Sequence, residues 1–113
     1  VDLVLTDPPY GCVYEMCIYA NSTPQKLNGK RDNDVLRFKR SGNPNHPTEK
    51  PIELISFLIN KSSNPDDLIL DPFLGSGTTA VACKQLKRNF IGIELSEKYC
   101  EIARQRLRQD VFL

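Results

Sequence analysis

The stretch Leu68-Ile69-Leu70-Asp71-Pro72-Phe73-Leu74-Gly75-Ser76-Gly77-Thr78-Thr79 runs from consecutive apolar residues, through a turn with two glycines, into a segment carrying Ala80, Val81, Ala82, Cys83 and Leu86. An unbroken apolar run of this length reads as a parallel strand covered on both faces, and the segment 78–87 reads as a helix. A third piece, Phe90-Ile91-Gly92-Ile93-Glu94, is again strand-like. Ser96 is a good N-cap for a last helix. Its inward stripe would be Tyr99, Cys100, Ala103 and Leu107, with Glu101, Arg104, Arg108 and Gln109 facing water. Strand, helix, strand, helix from 68 to 109 predicts an α/β fold with a parallel sheet and a right-handed crossover.

Two glycines between a strand and a helix N-terminus let backbone approach a ligand closely. Glu94 ends the next strand nineteen positions after Gly75. There an acidic side chain can accept hydrogen bonds from both hydroxyls of a ribose, so the pattern implies a ligand containing adenosine. Taken alone, Gly75-Ser76-Gly77-Thr78-Thr79-Ala80 also fits the G-x-G-x-x-A fingerprint of a dinucleotide fold. A glycine turn used only to pack helix on strand is a third reading. A phosphate-binding P-loop is excluded by Thr78 where the lysine should stand.

Upstream, residues 1–6 form a second apolar run that stops at Asp7-Pro8-Pro9-Tyr10. If this strand lies parallel beside residues 68–71, both loops open on the sheet edge where α/β proteins bind ligands. The exocyclic amine of a nucleobase is a poor nucleophile because its lone pair is delocalised into the ring. Asp7 and the Pro8 carbonyl can each accept an N–H from such an amine, and the prolines preorganise that carbonyl. Tyr10 offers a ring face on which a base taken out of a duplex can stack. The competing reading of the four residues is a strand-ending turn.

Between these motifs, residues 11–33 lack a sustained period, apart from a short apolar stretch around Val13 to Tyr19, and residues 35–38 suggest another short strand. Residues 41–51 hold Gly42, Pro44, Pro47 and Pro51, which predicts a constrained loop. Pro51 then suits the first turn of a helix whose Ile52, Ile55, Leu58 and Ile59 recur at helical spacing until the break at 62–65.

The 113 residues leave room for one domain, 1–113. A composition of 40% hydrophobic and 26% charged residues is that of a globular chain, and no apolar run approaches the ~18 residues of a membrane span. The chain opens at Val1 inside an apolar run without a basic leader, so no signal peptide is expected and the numbering reads as starting inside a longer gene product. A formal charge of +1 gives no sign of nucleic acid, although six basic residues against two acidic ones between Lys26 and Arg40 allow a local phosphate-facing patch or a solvated loop. The four cysteines, Cys12, Cys17, Cys83 and Cys100, lack metal-ligand spacing and read as buried free thiols, with no metal site expected. The Asn21-Ser22-Thr23 sequon carries no meaning without secretion.

Together Asp7-Pro8-Pro9-Tyr10-Gly11, His46-Pro47-Thr48-Glu49-Lys50-Pro51, the 70–79 loop and Gly92-Ile93-Glu94-Leu95 resemble the DNA adenine-N6/cytosine-N4 methyltransferases of bacteria and archaea. The catalytic motif precedes the cofactor motif, as in the permuted group called beta. The resemblance implies a Rossmann-like S-adenosylmethionine-dependent methyltransferase fold, a truncated and mostly parallel sheet flanked by helices, in a cytoplasmic enzyme. It implies S-adenosyl-L-methionine as cofactor and double-stranded DNA with a flipped target base as partner, with adenine favoured over cytosine and a restriction-modification or epigenetic role. By position, the catalytic residues are Asp7, Pro8, Pro9 and Tyr10. The cofactor-binding residues are Asp7, Thr48, Lys50, Asp71, Phe73, Gly75, Ser76, Gly77, Thr78 and Glu94. His46 falls to ordering its loop, since the reaction needs little base.

The resemblance covers residues 1–11 and 44–109. Only thirty-five residues separate Tyr10 from His46, too few for the further strands and the recognition region that the family holds there. The expected sheet therefore has three or four strands, with the first strand exposed along an edge through which self-association is open. Two other functions stay in view. One is a non-catalytic remnant that binds S-adenosylmethionine or nucleic acid; the other is a dinucleotide-binding oxidoreductase module.

Overall fold

A computed structural model describes residues 1–6, 18–20, 26–30, 36–39 and 49–109. The elements in chain order are β1 (Leu3–Thr6), β2 (Ile18–Ala20), α1 (Ile52–Ser62), β3 (Leu68–Asp71), α2 (Thr78–Gln85), β4 (Asn89–Gly92) and α3 (Glu97–Gln109). The four strands form one sheet in the order β2-β1-β3-β4. β1 and β4 each run parallel to β3, with Leu3 opposite Ile69 and Ile69 opposite Phe90. This is the predicted parallel unit, with α2 as the crossover between β3 and β4.

Two expectations about the sheet are corrected. β1 is not an edge strand, because β2 pairs with it antiparallel and sets Leu5 opposite Tyr19. Among the described residues the outermost strands are β2 and β4 instead. The strands are also not covered on both faces. Leu3, Leu5 and Ile69 are fully buried, whereas their neighbours Val4, Leu68 and Leu70 are only half-buried and Ile91 is 46% exposed. The sheet thus follows the period-2 alternation of one packed face. Apolar identity alone could not reveal this, since every one of these positions is Leu, Ile or Val. Residues 36–39 form no strand either; the Phe38 ring lies against Phe57 of α1, with centroids 5.9 Å apart.

The packed face meets α1 and α2. Leu3, Leu5 and Ile69 join Ile55 and Ile59 of α1 and Ala82 and Cys83 of α2, with Ile52, Leu58, Leu86 and Phe90 around them. Small residues on α2 let it lie close to both the sheet and α1, as the Ala-Val-Ala-Cys run suggests. α1 begins after Pro51 and carries Glu53 in its first turn and Lys61 in its last, each at the end that the helix dipole favours.

The C-terminal ends of α1 and α2 are held by side chains. Arg88 is buried and satisfies two C-termini at once. Its Nη1 donates to the Leu86 carbonyl beyond α2 at 2.8 Å, its Nη2 to the Ser63 carbonyl beyond α1 at 2.8 Å, and its Nε to Ser63 Oγ at 3.1 Å. Asn28 joins the same helix end, its Nδ2 donating to the carbonyls of Asn60 and Ser63, both at 2.8 Å. Nothing in the residue pattern singled out Arg88, which as an arginine ahead of a strand reads as a surface charge. Replacing Arg88 with Met should remove the buried hydrogen bonds to Ser63 and the donor to the half-buried Leu86 carbonyl, and destabilise the chain by about 1–3 kcal/mol, measured by urea unfolding.

Cys83 and Cys100 are free thiols, the first fully buried and the second half-buried; Cys12 and Cys17 lie outside the described residues. Burial pushes the Cys83 thiol up from its ordinary 9.0 to about 12, against the opposing pull of Arg88. A folded-state value above the unfolded one means that the stability from burying the neutral thiol is complete below pH 9 and is lost as pH rises from 9 toward about 12. Native alkylation with iodoacetamide at mildly alkaline pH, mapped by peptide mass spectrometry, should therefore label Cys100 and spare Cys83.

Candidate functional site

Because β1, β3 and β4 are parallel, their carboxyl ends at Thr6, Asp71 and Gly92 share one edge of the sheet. The chain leaves β3 there through residues 72–77. Asp71, buried at the strand end, folds the first step of this loop back on itself, accepting the Phe73 N–H on Oδ1 at 3.0 Å. The next steps are tied to the neighbouring strand. Ile93 N–H donates to the Asp71 carbonyl at 3.0 Å and Leu74 N–H to the Ile93 carbonyl at 2.9 Å, prolonging the β3–β4 ladder past its last paired residues. Phe73 is left pointing outward, 62% exposed.

Gly75 and Gly77 both adopt positive φ, 60° and 93°, a region that side chains rarely occupy. Gly77 has a second constraint. A Cβ built on it would stand 2.6 Å from Ala103 Cβ and 3.1 Å from Ala103 Cα, so the loop lies directly on α3. The close approach at this glycine is thus to a helix of the same chain.

Glu94 sits between the loop and α3. Its Oε2 accepts the Gly75 N–H at 2.8 Å and its Oε1 accepts the Ser96 N–H at 3.0 Å. Each carboxylate oxygen can accept a further hydrogen bond. The acid at the end of β4 and the glycine at the end of β3, picked out by their spacing alone, are in direct contact. Ser96 in turn opens α3 by accepting the Tyr99 N–H, at a long 3.4 Å.

The hydroxyls of Ser76 and Thr78 contact α3. Both are buried and both receive Nη1 of Arg106 from α3, Ser76 Oγ at 3.3 Å and Thr78 Oγ1 at 3.2 Å. Ser76 Oγ also donates to Glu49 Oε1 at 3.2 Å, and Glu49 forms a 3.0 Å ion pair with Arg106. Lys50 is half-buried beside it in the chain. The catalytic candidates Asp7, Pro8, Pro9 and Tyr10, and Thr48 and His46, lie outside the described residues; β1 ends at Thr6, immediately before them.

Of the predicted site, then, Asp71, Phe73, Gly75, Ser76, Gly77, Thr78 and Glu94 lie in one loop and its supports. Two partners were missed, Glu49 and Arg106. The signal for Arg106 was present: it lies three residues after Ala103 and one before Leu107, on the inward side of α3, where a charge needs a partner. Among the described residues, no three His, Cys, Asp or Glu side chains group as a metal site, and no helix is long and apolar enough to cross a membrane.

Residues 18–105 match the family model described as DNA methylase, of the N6/N4 methyltransferase type. The chain is 44% identical over 91 residues to the type II methyltransferase M2.MboI of Moraxella bovis, an alignment covering 75% of this chain and 33% of that protein. It is 35% identical over 112 residues to the DNA adenine methyltransferase YhdJ of Escherichia coli K12, covering 94% of this chain and 38% of YhdJ. Among solved structures, the M1.HpyAVI complex with S-adenosylmethionine superposes with a TM-score of 0.68 at 33% identity, over 94% of this chain and 60% of that one. The chain therefore spans about a third of the length of the curated relatives it matches. Its glycine loop, its parallel β1-β3-β4 core and this breadth of match lead to one conclusion: the chain belongs to the DNA adenine-N6/cytosine-N4 methyltransferase family.

Proposed function

We propose that this chain binds S-adenosylmethionine at the carboxyl edge of β3 and β4 and serves the transfer of its methyl group to the exocyclic amine of a base in DNA, with adenine N6 as acceptor. The observation that carries the reading is the Glu94 carboxylate spanning Gly75 and Ser96. It fixes an acid with two acceptor sites to spare beside a glycine loop, which suits the two hydroxyls of a ribose. The exposed Phe73 ring offers an apolar face at the mouth of the same loop. When bound, S-adenosylmethionine supplies an already electrophilic methyl group, so the protein's part is positioning rather than strong base catalysis.

In this reading, Asp7 and the Pro8 carbonyl accept the N–H groups of the target amine and so restore its lone pair, Pro9 holds the turn, and Tyr10 stacks on the flipped base. The register of β1 with β3 supports it, since Thr6 brings the chain to the edge that carries the glycine loop. Thr48 and Lys50 are proposed for the methionine end of the cofactor. Ser76 and Thr78 contribute through their backbone, because their hydroxyls are taken up by Arg106. Adenine is favoured by the likeness to a DNA adenine methyltransferase, and a restriction-modification setting by the likeness to a type II enzyme. A second reading is cofactor binding without transfer. The half-bare sheet face is consistent with it.

Calorimetric titration separates the possibilities. S-Adenosylmethionine should bind and NAD should not; the reverse would return the loop to the dinucleotide class. Glu94→Gln should weaken cofactor binding about 10- to 100-fold, because the amide group turns one acceptor into a donor facing a backbone N–H. Where a tritiated-methyl assay on unmethylated duplex DNA detects transfer, Asp7→Ala should abolish it, and label should be recovered in N6-methyladenine. Label in N4-methylcytosine would overturn the adenine assignment, and binding without label would leave the second reading.

A further inference from the structure

Arg106 reaches across from α3 to two segments far from it in sequence. Its Nη1 lies 3.0 Å from the Ser76 carbonyl, 3.3 Å from Ser76 Oγ, 3.2 Å from Thr78 Oγ1 and 3.0 Å from Glu49 Oε1. The Glu49 side chain is only 3% exposed and that of Arg106 19%. A pair this sheltered is screened little by salt, and each charge depends on the other. The other arginines of α3 differ. Arg104 and Arg108 pair with Glu97 and Glu101 on the outer face, where all four side chains are about half or more exposed.

The acceptors around Arg106 belong to separate parts of the proposed site. Glu49 precedes α1 in the His-Pro-Thr-Glu-Lys-Pro segment, next to Thr48 and Lys50. Ser76 and Thr78 flank Gly77, whose left-handed backbone and contact with Ala103 leave the loop one way to lie on α3. Glu94 holds the loop from one side, at Gly75, and Arg106 holds it from the other, at Ser76 and Thr78.

We propose that Arg106, through its ion pair with Glu49, is a positioning residue that holds the Ser76–Thr78 turn in the shape that receives the cofactor and locks the Glu49 segment to it. The role rests on the cofactor reading above. All four acceptors surround one nitrogen, Nη1, whose two N–H groups they share, so it is the reach of the arginine side chain, longer than that of lysine, that brings a cation to this point.

The test uses this chain with Arg106→Lys, Arg106→Met, Glu49→Gln and the double Glu49→Gln/Arg106→Met, with Arg104→Met as a control from the outer face of the same helix. Calorimetry with S-adenosylmethionine should show a loss of about 10-fold or more for each single change at 49 or 106, and no further loss in the double variant, since partners in one network are not additive. Arg104→Met should bind as the parent does. Hydrogen exchange without cofactor should show faster exchange confined to residues 75–78, with α1 and β3 protected as before. Arg106→Lys keeps the charge and serves where the Met variant fails to fold. Parent-like affinity in a folded Arg106 variant, additive losses, or protection lost evenly along the chain would each overturn the role. A parent chain that does not bind S-adenosylmethionine overturns the cofactor reading and this role with it. Binding by the parent that is undiminished in the variants overturns this role alone.

Discussion

Two backbone N–H groups, of Gly75 and Ser96, converge on the carboxylate of Glu94, and the loop, the last strand and the last helix take their places around that junction. One N–H ends the turn that follows β3; the other starts the approach to α3. Without a shared acceptor, both half-buried donors would lose their partner, and a donor sheltered from water is costly to leave unpaired. The same carboxylate therefore answers a structural need and, in the proposed function, a binding need. This is possible because a carboxylate has more acceptor sites than two backbone groups use.

The legible and illegible parts of the sequence divide along physical lines. The order of strand, glycine turn, helix, strand and helix was plain from 68 to 109 because each boundary carries its own chemistry: Gly75 and Gly77 at the turn, Ser96 at the cap, small residues on α2. The contact between Glu94 and Gly75 was foreseen only as a spacing. The placement of β2 beside β1 was not foreseen, since three residues, Ile18 to Ala20, are too short a run to show a period. Nor was it legible which strand faces meet α1 and α2, because Leu68, Ile69 and Leu70 are chemically alike and only packing distinguishes them. Arg88 escaped notice for a related reason: composition counts an arginine as surface, and only its partners show that it has been taken inward, whereas Arg106 could have been found from its place on the inward stripe of α3.

One face of the sheet is packed and the other is only half covered. Val4, Leu68, Leu70 and Ile91 lie on the side opposite α1 and α2, and among the described residues no helix covers them. A parallel sheet is usually sheltered on both sides. The part that is well covered is the part that supports the glycine loop, so the cofactor half of the proposed site has a packed foundation under it.

The contact of Gly77 with Ala103 has a consequence for how such a chain can diverge. The two positions share one small volume, 2.6 Å across from a hypothetical methyl on the glycine to the methyl of the alanine. Neither can grow unless the helix tilts, and tilting α3 would swing Arg106, one turn further on, out of reach of the loop. Residue size at 77 and 103 therefore acts as a steric ruler for the final helix, and drift at either position is coupled to the other.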